Sequence, residues 1–102
     1  MYYIIYALDR PDAGDLRIKT RAAHREYLHR PDLPVRLVLA GPLLADDAVT
    51  IIGSVIVVAA DSRSQVEAFS AADPYRHAGL VGSVRIELWN WTTGNPELEP
   101  AQ

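Results

Sequence analysis

The chain has 102 residues, a formal charge of -3 and no cysteine. That length fits one domain with a small core. The acidic balance gives no electrostatic case for nucleic acid or an anionic membrane, and the missing thiols exclude a disulfide scaffold and thiol chemistry. Met1 to Tyr6 is apolar but too short for a signal or a membrane span, so a cytoplasmic protein is expected.

Tyr2 to Leu8 reads as a strand, aromatic and β-branched. Tyr2, Ile4, Tyr6 and Leu8 fall on one face and Tyr3, Ile5 and Ala7 on the other, so both faces are apolar, as in a central strand. Asp9 to Asp15 is a loop. A helix comes next with two possible starts, capped by Asp15 before Leu16 or by Thr20 before Arg21. Either way it ends by Arg30, because Pro31 and Pro34 prevent the helix from continuing. Its inward stripe is Leu16, Thr20, Ala23, His24, Tyr27 and Leu28. Arg21, Arg25, Glu26 and His29 lie outside it, so His24 is expected to face the body of the protein and His29 water.

Val35 to Leu39 is a second strand, ended by Ala40-Gly41-Pro42-Leu43, and Leu44 to Val49 is an acidic turn. Thr50 to Ala60 is a third strand, again apolar on both faces. Gly53-Ser54 interrupts it and marks a bulge or a close backbone approach. Ser62 with Gln65 resembles a capping box, and Val66, Phe69 and Ala72 or Asp73 come after it at helical spacing. Pro74 disfavours the α region at Asp73, so this helix should stop there, with the Asp73 carboxylate fixed by the turn. Val81 to Trp91 is the fourth strand, with Val84, Ile86 and Leu88 on one face and Arg85, Glu87, Trp89 and Trp91 on the other. Residues 1–91 form one domain, and 92–102 read as a loose C-terminal tail.

The order β-α-β-β-α-β predicts an α+β fold of the ferredoxin-like kind, a four-stranded antiparallel sheet with both helices on one face. The other face would be bare although the central strands are apolar there too. Each such side chain gains roughly 1.5–3 kcal/mol on full burial. A homodimer packed through the open sheet faces is the simplest cover. Trp89 and Trp91 at the edge of that face suit an interface, unless they close the monomer's own core.

In this topology the end of the first strand, the end of the second and the end of the second helix share one rim. Asp9, Gly41, Pro42 and Asp73 meet there. His24 joins them if its helix starts near Arg21, and lies more than a turn lower if it starts near Leu16. An imidazole beside a carboxylate is a proton-transfer pair, the carboxylate fixing the tautomer. The competing reading of His24 is a core histidine bonded to a backbone carbonyl. His24, His29 and His77 do not have the spacing of a structural zinc site, and no nucleophile elbow or phosphate loop is present, so neither metal nor cofactor is expected.

Several pieces together make the chain resemble the YciI-like (YCII-related) family. They are Tyr3-Ile4-Ile5-Tyr6-Ala7, Arg21-Ala22-Ala23-His24 with Tyr27-Leu28, Ala40-Gly41-Pro42-Leu43, Gly53-Ser54, Ala72-Asp73-Pro74-Tyr75 with Ala78-Gly79, and Val84 to Trp89. The family is similar in fold to dimeric α/β-barrel proteins such as muconolactone isomerases. The resemblance implies a histidine–aspartate site, carried over to His24 and Asp73, and one member type removes chloride from a chlorinated hydroxyhydroquinone. Many members have proline where this chain has Ala22, which favours the later helix start. The short linker from Pro31 to Pro34 departs from the longer helix and glycine-containing turn of relatives.

The expected function is therefore a cofactor-independent enzyme of lyase, dehydrochlorinase or isomerase type. It would act on a small cyclic or aromatic compound, with His24 as proton acceptor and Asp73 orienting it. Asp9 is the substitute partner, and Tyr6, Gly41, Pro42, Ser54 and Tyr75 are the remaining pocket residues. Gly41 is expected where a side chain would crowd the cavity mouth. The alternative is a non-catalytic homodimeric module that binds a small ligand, or an accessory protein.

Overall fold

The computed structural model describes residues 1–98, so the last four residues of the expected tail lie outside the described residues. The elements are β1 (Tyr2–Asp9), α1 (Leu16–Leu28), β2 (Arg36–Leu44), β3 (Ile51–Ala59), α2 (Arg63–Ala71), α3 (Pro74–His77) and β4 (Val81–Trp89). The strands form one sheet in the order β2-β3-β1-β4, every neighbouring pair antiparallel. This is the ferredoxin-like α+β arrangement, with a third, four-residue helix added between α2 and β4.

The register explains the core. Ile5 is paired with Ile56 on one side and Ile86 on the other, and Tyr3 with Val58 and Leu88, so these residues share a face. Tyr27 and Leu28 of α1 and Val66 and Phe69 of α2 pack on that face. Tyr27 donates its hydroxyl to the Phe69 carbonyl at 2.7 Å and stacks on the Phe69 ring, which ties the two helices together. Burial, with the Asp73 charge second, raises the Tyr27 pKa, so the hydroxyl keeps its proton and remains a donor.

Two irregularities shape β3 and its neighbours. Leu43 pairs with Gly53 but Leu44 with Ile51, so Ile52 is an extra residue in the strand. The bulge turns Ile51 toward the helices and leaves Ile52 exposed. A Cβ on Gly53 would collide with the Ala7 carbonyl oxygen, so the close backbone approach requires glycine here. The second strand is longer than expected: Gly41 and Pro42 lie inside β2 rather than ending it. β2 is an edge strand, where a proline without an N–H can be accommodated.

The opposite face carries Tyr6, Val55 and Gly41 in one row and Ile4, Val57 and Leu39 in the next. Tyr6 and Leu39 are exposed there. The row of Tyr2, Ala59, Arg36 and Trp89 is occupied by the chain itself. Trp91 stacks on Trp89 and meets Tyr2 edge-on, and Glu97 accepts from the Tyr2 hydroxyl at 3.0 Å and from both terminal nitrogens of Arg36. Residues 92–98 are therefore not a loose end but a strap across one end of the sheet. The reason is charge and aromatic pairing that the local sequence does not display, since the partners lie 61 and 95 positions away.

Candidate active site

The site is built by the corner between α2 and α3. Asp73 takes an extended conformation, φ -62° and ψ 131°, as the residue before proline must. Pro74 then opens α3 as its first helical residue. Asp73 is the cap of this helix: its Oδ1 accepts the backbone N–H of Tyr75 at 2.9 Å. The same oxygen accepts from His24 Nδ1 at 2.8 Å, and both side chains are about 10% exposed. Acceptance by a carboxylate places the proton on Nδ1. No protein group among the described residues hydrogen-bonds Nε2, which is left as the proton-accepting nitrogen of the neutral ring.

α1 starts at Leu16, not near Arg21. His24 is thus two turns into its helix, yet it still meets Asp73. The expected condition on the helix start fails because α3 packs along the side of α1 rather than at its end, bringing Asp73 down to His24. The early start is held from outside the helix. Arg17, in the first turn, donates Nε and Nη2 to the two oxygens of Asp9 at 2.8 and 2.7 Å.

This pair settles the placement of Asp9. Its carboxylate is taken by Arg17 and not by the imidazole. Burial opposes the Arg17 charge, but the hydrogen bond to Asp9 and the Asp9 charge outweigh it and hold the guanidinium above its ordinary pKa. The Arg17 guanidinium lies 4.6 Å from the centre of the Tyr75 ring. Tyr75 in turn stacks on His24, with ring centres 4.0 Å apart and planes 17° from parallel. Asp9, Arg17, Tyr75, His24 and Asp73 form one connected chain of contacts.

Beside His24 a cavity of about 550 Å³ opens between α1 and the β2–β3 half of the sheet. His24, Ser54 and Tyr75 border it, as do Pro42 and the backbone of Gly41. Tyr6 does not, because its side chain is on the opposite face of the sheet, where Arg85 approaches its ring. Gly41 does not answer to crowding: a Cβ there would meet nothing within 4 Å. Its register position opposite Val55 puts any side chain on the open face instead.

The sequence reading missed the other α1 residues of the cavity, Arg17, Arg21, Arg25 and His29. They recur every fourth residue and so form one ridge. His29 borders the cavity rather than facing water alone, and its Nδ1 donates to the Arg25 carbonyl at 2.7 Å. The signal was the spacing itself, since like charges one helical turn apart weaken a helix and so call for an explanation.

Fold and site together define an α+β protein of the dimeric α/β-barrel type with a buried histidine–aspartate pair at the edge of a cavity. The YCII-related domain model matches residues 1–90, and the chain belongs to that family. It is 34% identical over 92 residues to protein YciI of Escherichia coli, covering 85% of this chain and 94% of the relative. An uncharacterized protein of Haemophilus influenzae is 29% identical over the same length. Among solved structures, the 5-chloro-2-hydroxyhydroquinone dehydrochlorinase TftG of Burkholderia phenoliruptrix, in complex with 2,5-dihydroxybenzoquinone, superposes with a TM-score of 0.75 at 34% identity. That match covers 88% of this chain and 94% of the dehydrochlorinase. Among the described residues no helix is long and apolar enough to cross a membrane.

Proposed function

We propose that the chain is a cofactor-independent enzyme that removes a proton from a small cyclic or aromatic compound, with elimination or isomerisation as the outcome. The observation that carries this is the His24 Nδ1–Asp73 Oδ1 bond of 2.8 Å on the wall of the cavity. With Nδ1 committed to the carboxylate, Nε2 is the base. It takes a ring or hydroxyl proton from the substrate, and the carboxylate stabilises the imidazolium that results. In a dehydrochlorination of a chlorinated hydroquinone the ring first passes to its keto tautomer, a hydroxyl proton moving to the chlorine-bearing carbon. Nε2 then takes a remaining hydroxyl proton, the O–H pair becomes a carbonyl and shifts a ring double bond, and chloride leaves with the carbon–chlorine pair. Hydrogen chloride is lost in sum, and no oxidant is consumed. The dehydrochlorinase activity named for TftG supports this reaction type. Tyr75 keeps the imidazole plane fixed by stacking, and Ser54 is positioned to meet a substrate oxygen.

The working unit is proposed to be a homodimer joined through the open sheet faces, where Tyr6 and Leu39 are bare. A binding module would need the cavity alone, whereas the His24–Asp73 bond beside it favours the enzyme.

The test is turnover of 5-chloro-2-hydroxyhydroquinone, monitored by chloride release, in the wild-type chain and in His24→Gln and Asp73→Asn. A general base contributes about 10²–10⁴-fold, so His24→Gln should lower kcat by that order while KM changes little. Asp73→Asn should do less harm, since a loosely held imidazole still reaches its proton. Chloride release at the wild-type rate in His24→Gln would overturn the assignment.

A further inference from the structure

The cavity carries a charge pattern that proton transfer does not require. Three of the ten cationic side chains of this acidic protein border it, Arg17, Arg21 and Arg25, joined by His24 and His29. Among the described residues no carboxylate borders it, because Asp73 is turned onto His24 and Tyr75 and Asp9 onto Arg17. The three arginines are not equivalent. Arg17 is neutralised by its two-pronged bond to Asp9. Arg21, half-buried, and Arg25, exposed, have no carboxylate within ion-pair distance among the described residues. They stand one turn apart on α1, an arrangement that repels within the helix. Across from them Leu37, Ile51 and Ile56 supply an apolar wall.

Resting on the reading of this cavity as the substrate site, we infer that its ligand is a small organic anion with an apolar ring. The ring lies against the sheet wall beside His24, and the carboxylate or phenolate group is held by Arg21 and Arg25. The guanidinium fork matches a carboxylate, and the apolar wall disfavours inorganic anions that have no surface to bury. Arg21, the more buried of the two, contributes more, because its bond to the ligand is less screened by water. The ridge also gives the site its orientation: the charged group sits on the helix side and the ring on the sheet side.

The test is binding rather than turnover, so it stands apart from the test of His24 as a base. Benzoate and its neutral counterpart benzamide are titrated by amide-resolved NMR into wild type, Arg21→Gln, Arg25→Gln and Arg21→Lys. Wild type should bind benzoate at least tenfold more tightly than benzamide, with shifts at Leu37, Ile51 and Ile56 for both. Arg21→Gln should close most of that gap by weakening benzoate about tenfold and leaving benzamide unchanged. Arg25→Gln should close part of it, and Arg21→Lys should keep more of it than Arg21→Gln. Amide spectra of each variant report whether the fold is retained. Because Arg25→Gln alters an exposed side chain, it keeps the test decisive if Arg21→Gln misfolds. Equal affinities for the two ligands in wild type would overturn the inference, as would no saturable binding of benzoate up to about 10 mM, weaker than any useful contact. A failed catalytic assignment shows in chloride release by His24→Gln, and a failed anion site in the benzoate and benzamide affinities, so the two failures give different results.

Discussion

The Asp9–Arg17 pair offers the strongest quantitative expectation. The two side chains are 13% and 12% exposed and joined by hydrogen bonds of 2.7 and 2.8 Å. Asp9→Asn keeps the shape and removes the charge, so the guanidinium is left without its counterion. Removing one partner of a fully buried pair costs about 3–5 kcal/mol. Slight solvent access relieves part of that, and the Tyr75 ring still attracts the cation by about 0.5–2 kcal/mol. The expected loss is therefore about 2–3 kcal/mol, against a total of about 5–15 kcal/mol for a domain of this kind. Urea unfolding should show it as a midpoint lower by about 1–2 M at an unchanged slope. Arg17→Met alone should cost a similar amount by stranding Asp9. The double variant Asp9→Leu with Arg17→Met should recover most of the loss, and set against the single variants Asp9→Leu and Arg17→Met the cycle should give a coupling of about 2 kcal/mol. A loss under about 0.5 kcal/mol for Asp9→Asn would place the pair among ordinary surface contacts and refute the account of how α1 is anchored.

Gly53→Ala should destabilise the fold by about 3 kcal/mol, read as a lower Tm, because the added methyl meets the Ala7 carbonyl across the strand pair and backbone must move. Gly41→Ala, by contrast, should leave Tm nearly unchanged, since its methyl finds open space. Hydrogen bonds from Arg36 and Tyr2 hold the Glu97 pKa below its ordinary 4.5. A carboxylate with a lowered folded-state pKa stabilises its contact above its ordinary value, and that stabilisation is lost as pH falls through the lowered one. Tryptophan fluorescence from Trp89 and Trp91 should therefore shift on acidification below 4.5, and Glu97→Gln should lack that step. Sedimentation at micromolar concentration should give a dimer, and Val55→Arg, at the centre of the open face, should give a monomer with an intact fold. A wild-type monomer would exclude the open face as an interface.

The element order was legible because each element is punctuated. Short apolar runs rich in β-branched and aromatic residues give the strands, Ser62 with Gln65 starts α2 through the predicted capping box, and Pro31 closes the segment after α1. The antiparallel sheet followed from the order β-α-β-β-α-β, whose simplest closure is the ferredoxin-like one. What escaped the sequence is whatever depends on contacts between distant positions. The start of α1 is one case: both candidate caps are ordinary, and Asp15 makes no side-chain cap bond. The choice is made by Arg17, which must be helical to reach Asp9 at the end of β1. The strap of residues 92–98 is another, fixed by Glu97 reaching Arg36 and Tyr2 across the sheet.

The site shows the same division more sharply. His24 stood out because an imidazole occupied the inward stripe of α1, and Asp73 because Pro74 fixes its backbone. Pro74 was read only as a stop, although proline ends one helix and begins another equally well. That second role decides the geometry. As the first residue of α3 it turns Asp73 into a cap, and a capping carboxylate has its oxygen held by the Tyr75 N–H before any histidine arrives. The bond to His24 then needs no further ordering of Asp73, and its direction is set by backbone rather than by a free side chain. Tyr75, the next residue but one, is carried by the same short helix onto the imidazole face. One turn of helix thus fixes both the hydrogen-bond partner and the stacking partner of His24, leaving Nε2 as the ring nitrogen without a protein partner among the described residues, on the wall of the cavity.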